Sequence, residues 1–197
     1  MLNSLALILS YLIGSISFAL VVGKLFYKTD IRGYGSGNLG ATNTFRVLGK
    51  KAGLIVAVAD LLKGTVACLL PQMLNSTVNP IICGLLAILG HVFPIFAGFK
   101  GGKAVATSTG VFLFLTPLGT LIGFVVFTLT LIISKYVSLS SMLAGIAIFI
   151  YSLIFEEKVI VAISLLISVF VIILHRQNIK RIINGTENKI GKKNNGK

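Results

Sequence analysis

The stretch VATSTGVFLFLTPLGTLIGFVVFTLTLII, residues 105–133, decides the fold because it is apolar along its whole length. A helix rises about 1.5 Å per residue and the hydrocarbon core of a bilayer is about 30 Å thick. One upright helix over this stretch would be longer than the hydrocarbon core is thick, and two helices would each be shorter than that thickness. Thr116 and Pro117 interrupt the run, as a turn between helices does. The sequence therefore predicts two short membrane-spanning helices here.

Other apolar runs surround this stretch, at 2–22, 54–70, 81–96, 139–155 and 159–174. Several approach the roughly 20 residues that cross a bilayer. The chain has 197 residues, of which 55% are hydrophobic and only 12% are charged, which leaves too little polar surface for a soluble domain. We therefore predict an all-α, polytopic membrane protein with about seven transmembrane helices.

The uneven distribution of the 18 Lys and Arg residues predicts the topology. Six lie between positions 24 and 51, and seven follow Leu174, whereas the N-terminus and the connection 71–80 carry none. Cationic loops face the cytoplasm, so the N-terminus is expected outside and the C-terminus inside. Two helices over 105–133 keep Lys135 and the basic tail on the cytoplasmic side. We expect residues 1–187 to form one integral membrane domain and 188–197 a disordered basic tail.

The segment GYGSGNLGATN, residues 33–43, contains the spacing G-x-G-x-x-G at Gly35, Gly37 and Gly40. Dinucleotide-binding loops use this spacing, but only after a buried strand and before a helix of a parallel sheet. Here an apolar membrane run precedes the glycines, so the context excludes a nucleotide fold. Asp60, which could have served as the ribose-binding acid, lies in an apolar run with Lys63 three residues later. This spacing predicts an intramembrane ion pair.

Hydrogen-bonding and cationic side chains accompany these glycines, namely Ser36, Asn38, Thr42, Asn43 and Arg46. Glycine lets backbone N–H groups approach an anion, and Arg offers a planar fork for phosphate oxygens. The combination favours an anion site over a flexible polar loop between spans.

A second cluster, GHVFPIFAGFKGGKAVATSTG, occupies residues 90–110. It resembles an ATP phosphate loop but is one residue too short, and Ala104 stands where a metal-binding Ser or Thr is required. Gly101, Gly102 and Lys103 remain at the predicted start of a helix, where free N–H groups favour phosphate. A simple glycine turn with a cytoplasmic lysine explains this segment equally well.

A third cluster, HRQNIKRIINGTE, occupies residues 175–187, where the last membrane helix is expected to run into the cytoplasm. His175 and Asn178 share one helical face. The neighbouring cations are also compatible with contacts to anionic lipid head groups.

Together, SGNLGATNTFRVLG at 36–49, GHVFPIFAGFKGGKAVAT at 90–107 and HRQNIKRIINGTE at 175–187 strongly resemble the bacterial acyl-phosphate:glycerol-3-phosphate acyltransferase family, PlsY. The segments ADLLKGTVA at 59–67 and YVSLSSM at 136–142 are similar to the family as well. The order and spacing of the motifs make the resemblance specific, and it covers nearly the whole chain.

The resemblance implies acyl transfer from acyl phosphate to the 1-hydroxyl of glycerol 3-phosphate, with lysophosphatidate and phosphate as products. It implies no metal, nucleotide or other cofactor, and a multi-pass protein of the bacterial cytoplasmic membrane whose active site faces the cytoplasm. The implied catalytic residues are Ser36, Arg46, Lys103, His175 and Asn178. The implied substrate-binding residues are Gly37, Asn38, Gly40, Thr42, Asn43, Gly101, Gly102 and Ser141. Glu187 is carried over in either a structural or a site role.

The chemistry fits this reading, because an acyl phosphate already has a good leaving group and needs mainly positioning and oxyanion stabilisation. Our hypothesis is that Arg46 and Lys103 hold phosphate groups while His175 and Asn178 orient the acceptor hydroxyl. The base is either His175 or a phosphate oxygen of a substrate. CoA-dependent glycerolipid acyltransferases use a His followed by an Asp five positions later, and this pattern is absent here.

Three other classes of function fit the sequence less well. A transporter of an anionic metabolite would place binding groups near the bilayer midplane, often in repeats, and no convincing repeat is present. A lipid-binding scaffold would use the net charge of +13 but leave the three polar clusters unexplained. Nucleic-acid binding is disfavoured because no aromatic platforms lie among the cations. The expected partners are therefore the two substrates and membrane lipids, with a monomer as the functional form.

Overall fold

The computed structural model describes residues 1–191, and every regular element in that range is helical. The α-helices are α1 Leu2–Ser15, α2 Phe18–Tyr27, α3 Ala41–Leu48, α4 Lys50–Met73, α5 Pro80–Val92, α6 Val105–Leu115, α7 Pro117–Ser134, α8 Val137–Phe155, α9 Lys158–Leu174 and α10 Arg176–Ile183. Short 3₁₀ turns occupy Ile31–Gly33 and Ile95–Ala97. The predicted all-α class is confirmed.

Within residues 1–191, four helical segments are long and apolar enough to cross a membrane. They are Lys50–Met73, Pro80–Ala97, Pro117–Ser134 and Val137–Phe155. The count reaches six if each of two bent helix pairs, α1 with α2 and α9 with α10, is taken as one span. Helix α6 is apolar but has only 11 residues.

The helical run over 105–133 is broken at Thr116, as predicted from the Thr116-Pro117 pair. Pro117 is the first residue of α7, where its missing N–H leaves no helical hydrogen bond unmade. The chain divides at this break into two compact units, Met1–Leu115 and Thr116 onward. We call them the N-terminal unit and the C-terminal unit.

In the N-terminal unit, α1 packs on α5 and α4 packs on α6 at glycine positions. A Cβ atom at Gly14 would overlap the backbone of Ala87, and one at Gly64 would overlap the carbonyl of Thr107. Lipid offers no hydrophobic driving force between helices, so such close backbone approach supplies the packing energy instead. The glycines therefore fix which helices become neighbours.

The first apolar run, predicted as a single span, consists of α1 and α2 with a bend of 49° between them. Ile16 is extended, with φ −67° and ψ 112°, and the Ser17 side chain accepts a hydrogen bond from the N–H of Leu20 to cap α2. Lys63 Nζ donates to the carbonyl that the break exposes at Ile16, at 2.8 Å. Lys63, a cation on α4, thus donates the hydrogen bond that lipid could not supply to this backbone carbonyl.

In the C-terminal unit, α8 packs against both α7 and α9. The side chain of Ile148 would contact a Cβ at Gly123 at 2.7 Å, and Ser168 Oγ donates to the carbonyl of Gly145 at 2.8 Å. The sequence predicts that the last membrane helix runs on into the cytoplasm. Instead, the helix is broken at His175, where α9 and α10 meet with a bend of 58°.

The predicted basic tail, 188–197, is described only as far as residue 191. Within it, the N–H of Ile190 donates to the carbonyl of Lys135 at 2.9 Å. Residues 192–197 of the predicted tail lie outside the described residues.

Candidate functional site

The N-terminal unit contains a surface cleft of about 430 Å³. Its walls come from the two loops that the sequence singled out, and they consist of Arg32, Ser36, Gly37, Asn38, Lys100 and Gly101. Four of these residues were predicted for the site, whereas the cations Arg32 and Lys100 were not. The lining does not include Arg46, which is exposed on α3, or Lys103, which is half-buried.

The first loop, residues 30–40, is organised around the side chain of Asn43, which is 2% exposed. Asn43 Oδ1 accepts from the N–H of Ser36 at 2.9 Å, and Nδ2 donates to the carbonyl of Tyr34 at 3.1 Å. Both ends of this amide are therefore engaged inside the loop. Ile31 and Leu39 anchor the loop from below, since both are buried in an apolar cluster with residues of α2 and α4.

Two glycines of the G-x-G-x-x-G segment are explained by the turn itself. Gly35 and Gly37 have φ of 61° and 68°, a left-handed conformation that other residues rarely adopt. A Cβ atom at Gly35 would also overlap Asn43 Oδ1. These glycines therefore let the loop close over Asn43 and present Ser36 and Asn38 to the cleft.

Arg32 is fixed at the cleft by Asp30. Arg32 Nε lies 2.9 Å from Asp30 Oδ1, and Nη2 lies 2.5 Å from Oδ2, while Lys24 Nζ lies 3.6 Å from Oδ2. The hydrogen bonds from Arg32 hold the pKa of Asp30 well below its usual range and raise the pKa of Arg32 in turn. The guanidinium is therefore charged and held in a fixed orientation at the cleft. The short pattern Asp-x-Arg ahead of the glycines was the signal for this residue in the sequence.

The N–H groups of both glycines in the second loop are engaged within the protein. Of the two interpretations that the sequence left open for this segment, the glycine turn accounts for these contacts. The N–H of Gly101 donates to the carbonyl of Val92 and that of Gly102 donates to the carbonyl of His91, each at 3.1 Å. Helix α6 begins only at Val105. A Cβ atom at Gly101 would overlap His91 O, and one at Gly102 would overlap His91 Nε2. Close packing on the end of α5, not backbone contact with phosphate, is what requires glycine here.

A buried polar network lies beneath this loop. Lys63 Nζ is 2.8 Å from Asp60 Oδ1, and both side chains are 2% exposed. His91 Nδ1 is 3.7 Å from the same Asp60 oxygen and 3.1 Å from Thr107 Oγ1. Each of these four residues is buried, so the network links α4, α5 and α6 inside the apolar part of the unit.

In the C-terminal unit, Glu187 is the centre of the polar cluster, with its side chain only 3% exposed. It accepts hydrogen bonds from Asn178 Nδ2 at 2.6 Å, from Arg181 Nε at 2.7 Å and from Ser138 Oγ at 2.9 Å. Burial by itself would raise the pKa of Glu187, but the hydrogen bonds from Arg181, Asn178 and Ser138 outweigh it and lower the pKa. Because a carboxylate only accepts, the nitrogen of the Asn178 amide faces Glu187 and Oδ1 lies on the other side.

His175 is 3% exposed and lies at the bend between α9 and α10. Its Nδ1 is 2.8 Å from the carbonyl oxygen of Val171. A carbonyl oxygen only accepts, so Nδ1 carries a proton and Nε2 is the second nitrogen of the ring. Ser141, by contrast, directs its hydroxyl to its own helix, where Oγ donates to the carbonyl of Val137 at 2.9 Å.

Comparison with known proteins gives one consistent result. The family model described as glycerol-3-phosphate acyltransferase matches residues 4–185. Glycerol-3-phosphate acyltransferase 2 of Bacillus anthracis is 80% identical over 95% of this chain and 99% of its own length. The glycerol-3-phosphate acyltransferase of Bacillus subtilis (strain 168) is 55% identical over 96% of this chain and 98% of its own length.

Two solved structures are also similar to this chain. They are crystal structures of PlsY, an integral membrane glycerol 3-phosphate acyltransferase. The glycerol 3-phosphate form has a TM-score of 0.89 and is 38% identical over 96% of both chains. The lysophosphatidic acid form has a TM-score of 0.87 and is 38% identical over 96% of this chain and 95% of the other.

The contacts of Glu187 predict a stability that depends on pH. In Glu187→Gln, an amide would face donors that now bind a carboxylate, so we expect a loss of about 2 kcal/mol at pH 7. The folded state lowers the pKa of Glu187, so the contribution of its charge is present above its unfolded pKa and disappears as the pH falls through the folded value. Thermal unfolding in detergent, measured from pH 7 down to pH 3, should therefore show the two melting temperatures converging.

Glu157→Gln is the matched control, because Glu157 is exposed in the same unit. Its melting temperature should follow that of the wild type at every pH. A Glu187→Gln defect of equal size at pH 7 and pH 3 would contradict the charged role of Glu187.

Proposed function

The chain belongs to the glycerol-3-phosphate acyltransferase family, and from this premise we propose that it acylates the 1-hydroxyl of sn-glycerol 3-phosphate with acyl phosphate as donor. The bond between the acyl carbon and the phosphate oxygen breaks, and an ester to the hydroxyl oxygen forms. The hydroxyl proton leaves through a base, and the products are 1-acyl-glycerol 3-phosphate and phosphate. The observation that carries the proposal is the cleft of the N-terminal unit, where Arg32, Lys100 and hydrogen-bonding groups converge.

Acyl phosphate as the donor is supported by the chemistry of this cleft. Both substrates present a phosphate, and a cation-lined cleft of about 430 Å³ suits a phosphate-bearing head group. The His and Asp pair of CoA-dependent glycerolipid acyltransferases is absent, because Phe96 and Lys180 stand five positions after the two histidines. Neither substrate in this reaction requires recognition of a nucleotide.

In the N-terminal unit we assign phosphate binding to Arg46 and Lys103, and to Arg32 and Lys100 in the cleft. Ser36 and Asn38 supply hydrogen bonds to the bound oxygens. The remaining predicted residues of this unit shape the loops and do not react; they are Gly37, Gly40, Thr42, Asn43, Gly101 and Gly102. This division follows from the engaged amide of Asn43 and the engaged N–H groups of the second loop.

In the C-terminal unit we assign His175 and Asn178 to the acceptor hydroxyl. The Nε2 atom of the Nδ1-protonated ring is suited to accept a proton, and the Oδ1 atom of Asn178 is suited to accept a hydrogen bond. Glu187 holds the Asn178 amide in this orientation. A phosphate oxygen of a substrate is the alternative base. Ser141 contributes through the packing of α8.

We further propose seven membrane crossings, with the N-terminus outside and the C-terminus in the cytoplasm of a bacterial cell. Contacts inside each unit support this topology. Asn3 Nδ2 donates to Thr77 Oγ1 at 2.9 Å, and Thr116 Oγ1 donates to Glu156 Oε1 at 2.6 Å. Because cationic loops face the cytoplasm, the predicted topology places both residues of each pair on the outside. The active-site loops then face the cytoplasm.

Residues 1–187 are proposed to act as one catalytic domain and as a monomer. The family model spans residues 4–185 and so includes both compact units. Light scattering on active, detergent-solubilised protein should give the mass of a single chain, and activity confined to a dimer peak would contradict the monomer.

The first experiment measures phosphate release and lipid product from palmitoyl phosphate, with and without glycerol 3-phosphate, and with palmitoyl-CoA in parallel. We expect phosphate release that depends on the acceptor, formation of lysophosphatidate, and no turnover of the CoA ester. Turnover of palmitoyl-CoA alone would overturn the donor assignment. Binding of glycerol 3-phosphate with no product from either donor would favour a transporter.

Substitution of the cations tests the phosphate site. Arg32→Gln and Arg46→Ala should each raise the KM for a phosphate substrate about tenfold, because a charge-assisted hydrogen bond contributes about 1.5–3 kcal/mol. Lys51→Ala is the control, since Lys51 is an exposed cation on α4 that does not line the cleft. Unchanged kinetics in a folded Arg46→Ala protein would remove Arg46 from the site.

Cysteine labelling tests the short crossing formed by α6. In a background without Cys68 and Cys83, a membrane-impermeant maleimide should label Leu118→Cys in intact cells, because Leu118 is 64% exposed beside Pro117. Lys135→Cys should be labelled only after permeabilisation. Labelling of Leu118→Cys only after permeabilisation would contradict two crossings over residues 105–133.

A further inference from the structure

His91 is a buried polar side chain that the proposed reaction does not use. It lies in the last turn of α5 and is 6% exposed, within one of the apolar segments long enough to cross a membrane. A polar group in such surroundings is costly unless its hydrogen-bonding atoms have partners. Its contacts on both sides show what the residue holds together.

One edge of the imidazole ring is fixed by α4 and α6. Nδ1 lies 3.1 Å from Thr107 Oγ1 and 3.7 Å from Asp60 Oδ1. Asp60 is paired with Lys63 at 2.8 Å, and Lys63 in turn donates to the Ile16 carbonyl at 2.8 Å. The ring is therefore tied to a network that is itself anchored at the α1–α2 bend.

The opposite edge of the ring supports the second loop, residues 98–103, which we call the basic loop. A Cβ atom at Gly102 would overlap His91 Nε2 and would lie 3.0 Å from His91 Cδ2. The same Cβ would lie 3.1 Å from the carbonyl oxygen of Leu39, in the first loop. Gly102 is thus held between the ring of His91 and the other wall of the cleft.

The backbone of α5 adds two hydrogen bonds to this support. The carbonyl of His91 accepts from Gly102, and that of Val92 accepts from Gly101. Gly101 and its neighbour Lys100 line the cleft, and Lys103 directly follows Gly102. A shift of the His91 ring would consequently move the cationic wall of the cleft.

We propose that His91 is a positioning residue: its ring, oriented by Thr107 and Asp60, sets the position of the basic loop and thereby the affinity of the cleft for a phosphate-bearing substrate. The inference rests on the proposed function of the cleft as the phosphate site. Gly102 covers Nε2, so His91 acts through the loop and not as a base. Loss of the ring's orientation should weaken substrate binding while the chemical step is preserved.

The test uses two substitutions that remove the orientation of the ring, and each is compared with a conservative substitution at the same position. His91→Leu removes the polar ring, whereas His91→Asn keeps a polar atom near the position of Nδ1. Thr107→Val removes the hydroxyl that orients the ring, whereas Thr107→Ser keeps it. Thr109→Val is the matched control, because Thr109 lies on the same helix and its hydroxyl donates to the backbone carbonyl of Val105.

Steady-state kinetics of the full chain in detergent should separate positioning from stability. We expect His91→Leu and Thr107→Val to raise the KM for glycerol 3-phosphate about fivefold, with kcat within about twofold of the wild type. The Asn and Ser variants should return the KM to within about twofold, and Thr109→Val should leave it unchanged. If His91→Leu does not fold, Thr107→Val carries the same test.

The proposal is overturned if KM stays at the wild-type value in folded Thr107→Val, or if the conservative variants are no better than the disruptive ones. Thermal stabilisation by glycerol 3-phosphate supplies a second readout that does not depend on turnover. A smaller stabilisation of Thr107→Val than of Thr109→Val would support the positioning role even if the wild type transferred no acyl group. Wild-type turnover with equal stabilisation of all variants would overturn the role of His91 and leave the acyltransferase assignment intact.

Discussion

The ion pair between Asp60 and Lys63 is the interaction on which the N-terminal unit depends. A charge in apolar surroundings is expensive unless it is paired and hydrogen-bonded. Lys63 meets this requirement with Asp60 and with the Ile16 carbonyl that the α1–α2 bend exposes. Asp60 also faces His91, which supports the basic loop. One buried pair thus stabilises both the bend in the first apolar run and, through His91, the basic loop that forms one wall of the cleft.

The anion binding that we propose for the cleft would use different groups from those of an ATP phosphate loop. In such a loop, backbone N–H groups contact the phosphate. Here the N–H groups of Ser36, Gly101 and Gly102 are engaged within the protein, and side chains are directed to the cleft. A site built from long cationic side chains on rigid loops could bind phosphates attached to different groups, which the proposed reaction with two phosphorylated substrates requires.

In the C-terminal unit, a carboxylate orients the neighbouring polar side chains. Glu187 accepts three hydrogen bonds, and one of its partners is Asn178. His175 is oriented by a carbonyl of its own helix at the bend between α9 and α10. In each case, a neighbouring group fixes the orientation of a polar side chain, which would reduce the entropy lost if substrate binds there as proposed.

The sequence by itself determined the helical membrane class, the interruption at Thr116, and the pairing of Asp60 with Lys63. All three depend on residues close together in the chain, through hydropathy, proline chemistry and helical spacing. Only the tertiary structure decided the bend at Ile16, the place of Arg32 at the cleft, and the use of Gly101 and Gly102 for packing instead of phosphate contact. Lys63 lies 47 positions from the Ile16 carbonyl that it satisfies, and no local pattern records such a partner. The physical reason is that in lipid each polar group must find its partner within the protein, and which partner it finds depends on how the helices pack.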